Sequence, residues 1–166
     1  MVLGMSLSTF TLLHVVLSLI GILSGLIVIF GMFAAKRMKG MTALFLVTTV
    51  LTSVSAFGFP FDHLLPSHKL GIISLVVLLI AIVARYAGHL LGATRWIYAV
   101  AAVIAEYLNV FVLVVQAFLK IPALHAMAPK GTEAPFAIAQ AIVLLLFVVL
   151  GIYAVKRFHP GAERES

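Results

Sequence analysis

Residues 93–119 read ATRWIYAVAAVIAEYLNVFVLVVQAFL, and this stretch predicts a helix that crosses a membrane. A crossing needs about 20 mostly apolar residues, each adding about 1.5 Å of length. The stretch contains one acid, Glu106, close to its middle. An acid at the centre of a membrane helix costs about 2.5–3.5 kcal/mol on insertion scales. We therefore expect Glu106 to face protein rather than lipid.

The polar residues of this stretch recur at helical spacing. Six positions follow one another at intervals of three and four residues, so they share one predicted inward face. These positions are Ala99, Ala102, Glu106, Asn109, Leu113 and Gln116. Two interpretations of Glu106 remain open. It is either a titratable group in a pathway or a neutral structural group that bonds to Asn109 or to a hydroxyl of another helix.

The composition of the whole chain indicates an integral membrane protein. Of 166 residues, 64% are hydrophobic and 10% are charged, whereas soluble domains carry about 25% charged residues. The net charge of +6 comes from basic residues that flank apolar runs. This placement predicts that the lipid bilayer is the partner of these charges and that no nucleic acid is bound. The absence of cysteine excludes disulfides and thiolate metal sites.

Four further apolar runs accompany residues 93–119, which gives five predicted transmembrane helices. The helices cover about residues 7–35, 41–59, 69–86, 93–119 and 135–155. We predict an all-α integral membrane protein in which residues 1–158 form one compact bundle of five transmembrane helices. Residues 159–166 are then a short cytoplasmic tail. The first run lacks a preceding positive charge, so we interpret it as a retained helix rather than a signal peptide.

The basic residues predict the orientation of the bundle. If the N-terminus lies outside, the cytoplasmic side carries Lys36, Arg37, Lys39, Arg85, Arg95, Lys156, Arg157 and Arg164, and the outer side carries Lys69, Lys120 and Lys130. The positive-inside rule thus favours an outside N-terminus and a cytoplasmic C-terminus. Arg85 and Arg95 are predicted to lie at a cytoplasmic turn that contacts lipid headgroups. The layout resembles that of small bacterial inner-membrane proteins, and we expect this location.

The first two helices carry features of close packing. Gly21 and Gly25 form a GxxxG pair on the same face as His14, and small residues on a helix face let a neighbour approach. We therefore predict that the two glycines pack against another helix. The second helix carries hydroxyl side chains, which we interpret as packing residues because they can bond back to their own helix. They are Thr42, Thr48, Thr49, Thr52, Ser53 and Ser55.

Polar side chains concentrate in the predicted outer half of the bundle. Gln116 lies about 15 Å above Glu106 by helical rise. His14 enters from the outer surface and reaches a similar depth, and Gln140 lies in the outer half of the last helix. We predict a polar cavity in this half, with Glu106 at its floor and Asn109 above it.

The connection at residues 57–71, FGFPFDHLLPSHKLG, is predicted to form the mouth of this cavity. It contributes Asp62, His63 and His68, and the other outer connection contributes His125. These residue types ligate zinc, copper or haem iron. A haem held between His14 and His68 is one arrangement of this kind.

Three functions remain open on the sequence. The first is a proton or small-solute pathway from the outer histidines to Glu106, since intramembrane relays use such groups. The second is an accessory or assembly subunit, in a homo-oligomer or a larger membrane complex. The third is a membrane redox protein that binds haem or a metal. Enzyme chemistry is not favoured, because no HExxH, GxSxG or phosphate-binding glycine loop is present.

Overall fold

The computed structural model describes residues 2–161, and each long element in this range is an α-helix. The elements are α1 Leu7–Phe33, α2 Lys39–Ser55, α3 Pro66–Ile82, α4 Ala93–Lys120, α5 Pro122–Met127 and α6 Ala134–Arg157. A 3₁₀ turn, Ala56–Gly58, continues α2, and a π-helical turn, Val83–Ala87, continues α3. The described chain therefore has the five predicted helices that are long and apolar enough to cross a membrane.

Two details of the helices differ from the prediction. The third helix begins at Pro66 rather than near residue 69, because proline suits the first turn of a helix. The Nδ1 atom of His68 also accepts a hydrogen bond from the Leu65 N–H at 3.1 Å, which satisfies a free donor at this helix end. The short helix α5 lies within the predicted connection, and six residues are too few to show helical periodicity.

Helix α4 lies at the centre of the fold, where it contacts α1, α3 and α6. Its packed face is built from small residues, and Ala99, Ala102 and Ala105 are fully buried. Small side chains let the neighbouring helices approach closely. The 28 residues of α4 span about 42 Å, which exceeds the roughly 30 Å hydrocarbon core of a bilayer.

Arginine side chains join the helix ends at what we call the C-terminal end of the bundle. Arg95 Nη1 donates to the carbonyl oxygens of Val155 and Phe158, at 3.1 and 2.7 Å. Arg85 Nη2 donates to the carbonyl oxygen of Arg37 at 2.7 Å. The ends of α1, α3 and α6 therefore meet the starts of α2 and α4 here.

The opposite end, which we call the N-terminal end, holds the start of α1 and the α2–α3 and α4–α6 connections. Aromatic rings pack there, with centroid distances of 5.0 Å between Phe10 and Phe59 and 5.4 Å between Phe118 and Phe136. Between the two ends, many large apolar side chains are exposed on the outside of the bundle. Such a surface suits lipid as solvent.

Candidate functional site

The Glu106 side chain is fully buried near the middle of α4. Its Oε2 atom accepts a hydrogen bond from Asn109 Nδ2 at 3.3 Å. The same Asn109 nitrogen donates to Thr49 Oγ1 of α2 at 3.2 Å. Within residues 2–161, Glu106 Oε1 has no hydrogen-bond partner. Asn109 thus connects the acid to a second helix, and one carboxyl oxygen remains unused.

The glycines of α1 make room for this group. A methyl group at Gly25 would overlap the Glu106 carboxyl and would lie 2.8 Å from the Phe45 ring. A methyl group at Gly21 would lie 3.1 Å from Thr49 Oγ1. Because neither glycine has a side chain, α1 approaches α2 and α4 closely enough to enclose the acid.

These contacts leave the Glu106 carboxyl among neutral groups. Within the described residues, Asn109 is the side chain that hydrogen-bonds to it, and no lysine, arginine or histidine pairs with it. Burying a carboxylate without a cation or several donors is costly, whereas a carboxyl group that takes up a proton becomes neutral. The arrangement can therefore hold a proton on Glu106.

A second polar contact lies nearer the N-terminal end, in the seam between α1 and α2. His14 Nδ1 and Ser55 Oγ are 2.8 Å apart, and the His14 ring packs edge-on against Phe59 at 5.2 Å. Ser55 and Thr52 donate to the backbone carbonyls of Thr52 and Thr48, at 3.0 and 2.8 Å. Since these hydroxyls bond back to their own helix, they form no continuous chain of side-chain hydrogen bonds between His14 and Glu106.

The outer part of the predicted α4 face turns away from the bundle. Glu106 is buried and Asn109 is half-buried, but Leu113 and Gln116 are exposed. At about 100° per residue, Glu106 and Gln116 point about 80° apart around the helix axis. The structure therefore does not place Gln116 in line with Glu106. Leu113 points within about 20° of Glu106 and is also exposed, so side-chain direction alone does not account for the exposure of this part of α4.

Gln140 joins α6 to α4 rather than to the Glu106 group. Its Nε2 atom donates to the carbonyl oxygen of Phe111 at 3.1 Å. Within residues 2–161, its buried Oε1 atom has no partner. Gln140 is thus a contact between two helices at the side of α4 that faces α6.

The predicted mouth residues do not come together as a ligand cluster. Asp62, His63 and His125 are exposed, whereas His68 is buried with its ring 4.1 Å from that of Phe61. Within residues 2–161, no three His, Asp or Glu side chains are arranged to hold a metal ion. His68 instead caps α3, because its Nδ1 accepts the Leu65 N–H.

Two surface depressions lie between α4 and α6, and apolar side chains line both. The larger one, which we call the α4–α6 groove, has a volume of about 380 Å³. Its lining residues are Val100, Val148, Gly151, Ile152, Val155 and Lys156. The predicted polar cavity was expected above Glu106, whereas both of these depressions are apolar and open on the side of α6.

The burial of Arg85 was not predicted from the sequence, where this residue was placed at a cytoplasmic turn that contacts lipid headgroups. It lies in the π-helical turn Val83–Ala87 and is 7% exposed. Thr49 was likewise assigned to packing, although it bonds Asn109. An arginine beside a run of apolar residues gives no signal of a π turn. The hydroxyl residues of α2 look alike in the sequence, so the contact of Thr49 with Asn109 was not predictable there.

Fold and site together define an all-helical protein with five helices suited to crossing a membrane and one buried acid between α1, α2 and α4. No protein-family profile, curated protein or solved structure matches the chain. The Glu106 group, its glycines and the α1–α2 seam therefore carry the functional argument.

Proposed function

We propose that this chain is a multi-pass membrane protein in which Glu106 takes up and releases a proton within the membrane, as part of a proton or small-solute pathway. The observation that carries the proposal is the fully buried carboxyl group with one oxygen bonded to Asn109 and the other without a partner. Ionisable groups inside membrane helices are rare and commonly mark such pathways.

The α1–α2 seam is the route that we propose between Glu106 and the N-terminal end. His14 lies in the part of the seam near the N-terminal end, where it is bonded to Ser55. Histidine side chains commonly relay protons in proteins. The hydroxyl of Thr52 lies on α2 between Ser55, the partner of His14, and Thr49, and the hydroxyl of Thr48 lies one residue beyond Thr49. Water or rotation of these hydroxyls would complete the path, because each now bonds to its own helix.

We also propose that the N-terminal end lies outside and the C-terminal end faces the cytoplasm of a bacterial cell, with the chain in the inner membrane. Of the basic residues that the structure describes, seven belong to the C-terminal end and three to the N-terminal end, and Arg164 lies outside the described residues. The positive-inside rule supports this orientation. In it, the seam opens to the outside and Glu106 receives its proton from there.

Proton flux into proteoliposomes tests this function. The parent protein is reconstituted with a pH-sensitive dye inside, and a potassium diffusion potential drives proton entry. We expect the parent protein to acidify the vesicles. Glu106→Gln should reduce the rate of acidification by at least about tenfold, because an amide group cannot take up and release the proton. Glu133→Gln, the same change at an acid that lies just before α6 and outside the long helices, should leave the rate within about twofold of the parent rate.

Two results would contradict the proposal. One is a parent rate that equals the rate of empty vesicles. The other is a Glu106→Gln rate that equals the parent rate in protein of unchanged helicity. Either result would leave Glu106 as a structural group that joins α4 to α2 through Asn109.

A second candidate function is an assembly subunit, either in a homo-oligomer or in a larger membrane complex. Of the residues of α6, Phe147 and Ala154 are buried, so most of this helix faces outward. The α4–α6 groove lies beside it and includes Gly151, where an added methyl group would lie 3.5 Å from Val103. Small residues and grooves on a lipid-facing surface favour helix association.

The oligomeric state in lipid nanodiscs tests this second candidate. Gly151→Leu fills the α4–α6 groove without a clash at its first carbon. If the groove holds a second copy, light scattering should show an oligomer for the parent and a monomer for the variant. A monomeric parent would argue against the homo-oligomer, and an oligomer that persists in the variant would place the contact elsewhere.

A further inference from the structure

The π-helical turn Val83–Ala87 carries Arg85 into the bundle instead of out to its surface. Arg85 is 7% exposed. An arginine at the end of a membrane helix usually extends its charged group toward water or headgroups. A π turn adds a residue to one turn of the helix and often occurs at functional sites. The turn and the burial are two separate observations on the same side chain.

Among residues 2–161, the contacts of the Arg85 guanidinium do not neutralise its charge. Nη2 donates to the Arg37 carbonyl oxygen at 2.7 Å. The guanidinium carbon lies 5.1 Å from the ring centroid of Tyr98 and 5.9 Å from that of Tyr86. Within residues 2–161, Nη1 is buried without a well-placed hydrogen-bond partner, and the polar side chain that interacts with the guanidinium is the buried hydroxyl of Tyr98, a neutral group.

No acid of the described chain reaches Arg85. Asp62 and Glu133 lie in connections at the N-terminal end. Glu106 follows Tyr98 by two turns of α4, about 12 Å along the axis. Arg85 makes no ion pair within residues 2–161. A guanidinium group stays charged at every pH that proteins experience, so Arg85 cannot become neutral by losing a proton.

Arg95 shows what an ordinary arginine does at the same end of the bundle. It is half-buried, and its Nη1 atom donates to two carbonyl oxygens at the end of α6. Cations at this position cap the last carbonyls of a helix. Arg85 instead donates to one carbonyl oxygen in the α1–α2 connection, contacts two aromatic rings and keeps a buried donor without a well-placed partner, so capping does not account for it.

We propose that Arg85 binds a phosphate-class oxyanion at the C-terminal end of the bundle. Guanidinium groups hold phosphate oxygens through paired hydrogen bonds, and Nη1 is the donor available for this contact. Tyr86 covers the guanidinium from outside with a ring that is 50% exposed, so a rotation of Tyr86 opens the site. The exposed Lys36 at this end attracts anions. A phospholipid headgroup or free phosphate supplies the same chemistry.

Native mass spectrometry of the full chain in a neutral glycoside detergent tests this site. The probes are phosphatidylglycerol and a diacylglycerol with the same acyl chains but no phosphate. We expect the parent to prefer phosphatidylglycerol by at least about tenfold. Arg85→Gln should reduce the preference for phosphatidylglycerol to less than about twofold. Arg157→Gln, which removes an exposed charge at the same end, should keep the preference within about threefold of the parent's.

Inorganic phosphate distinguishes the two sources. If millimolar phosphate displaces phosphatidylglycerol from the parent, the site takes free oxyanions; if it does not, the site takes the lipid headgroup. Arg85→Lys, which keeps the charge but lacks the planar fork, should lose most of the preference and serves if Arg85→Gln does not fold. A parent without preference for the phosphate-bearing lipid would overturn the proposal, as would folded Arg85→Gln with the parent's preference.

Discussion

Glu106 and Arg85 are both buried, yet their surroundings differ. Glu106 lies near the middle of α4 in a regular helix, and glycine, amide and hydroxyl groups of α1, α2 and α4 surround it. Arg85 lies at the end of α3 in a π turn, and aromatic rings and a carbonyl oxygen surround it. A carboxyl group can become neutral with a proton, whereas guanidinium needs an anion. This difference is the reason that we propose a proton site in one region and an oxyanion site in the other.

The largest expected effect is a loss of stability on substitution of Gly25, which contacts the Glu106 region. We expect Gly25→Ala to destabilise the protein by about 3 kcal/mol, because the new methyl group overlaps the Glu106 carboxyl and approaches Phe45. Gly151→Ala, where the methyl group has room, should change stability by less than about 0.5 kcal/mol. Reversible unfolding in mixed micelles measures both.

A double-mutant cycle then assigns the cost of Gly25→Ala. Shortening the acid with Glu106→Ala should relieve part of the overlap and give a coupling of about 1–2 kcal/mol. Arg85→Gln should be additive with Gly25→Ala within about 0.5 kcal/mol. Coupling of Gly25 to Arg85 but not to Glu106 would break the separation between the two regions.

The next effect concerns the amide that joins α4 to α2. Asn109→Leu removes the hydrogen bonds to Glu106 and Thr49 and should cost about 2 kcal/mol, since buried partners lose their donor. Gln116→Leu makes the same change at an exposed position of α4 and should stay within about 0.5 kcal/mol. Equal costs for the two variants would show that the amide adds nothing specific to the acid's surroundings.

The smallest effect tests the N-terminal end, where no buried charge is expected to act. His68→Phe keeps a ring beside Phe57 and Phe61 but removes the acceptor for the Leu65 N–H. We expect a loss of about 1 kcal/mol, as for other helix caps. His63→Phe, at an exposed position, should be close to neutral. A loss of proton flux in folded His68→Phe would extend the pathway to this loop.

The five long helices were predictable because the signals are local. Apolar runs end at Lys36 and Arg37, at Pro60, at Lys120 and at Lys156, close to where the helices end. Burial of Glu106 was also predictable, since lipid exposure of an acid is costly. The sequence also suggested Asn109 or a hydroxyl of another helix as its partner; the structure has Asn109 in this role, and the Thr49 hydroxyl bonds Asn109 rather than the acid.

Other features depend on rotation and tertiary packing, which the sequence does not reveal. Gln116 was assigned inward from its spacing alone, whereas it points about 80° from Glu106 around the helix axis and is exposed. Arg85 was assigned to the surface because a π turn changes the direction of a side chain without a sequence signal. His68 resembled a ligand in the sequence, but its ring is used to cap α3.

The protonation of Glu106 is the central claim, and infrared difference spectroscopy of the reconstituted protein measures it directly. A protonated carboxyl group in an apolar site gives a carbonyl band that is separate from the backbone bands. We predict such a band in the parent that weakens as the pH rises, is absent in Glu106→Gln and is unchanged in Glu133→Gln. A parent spectrum without a pH-dependent band, or a band that persists in Glu106→Gln, would contradict the account.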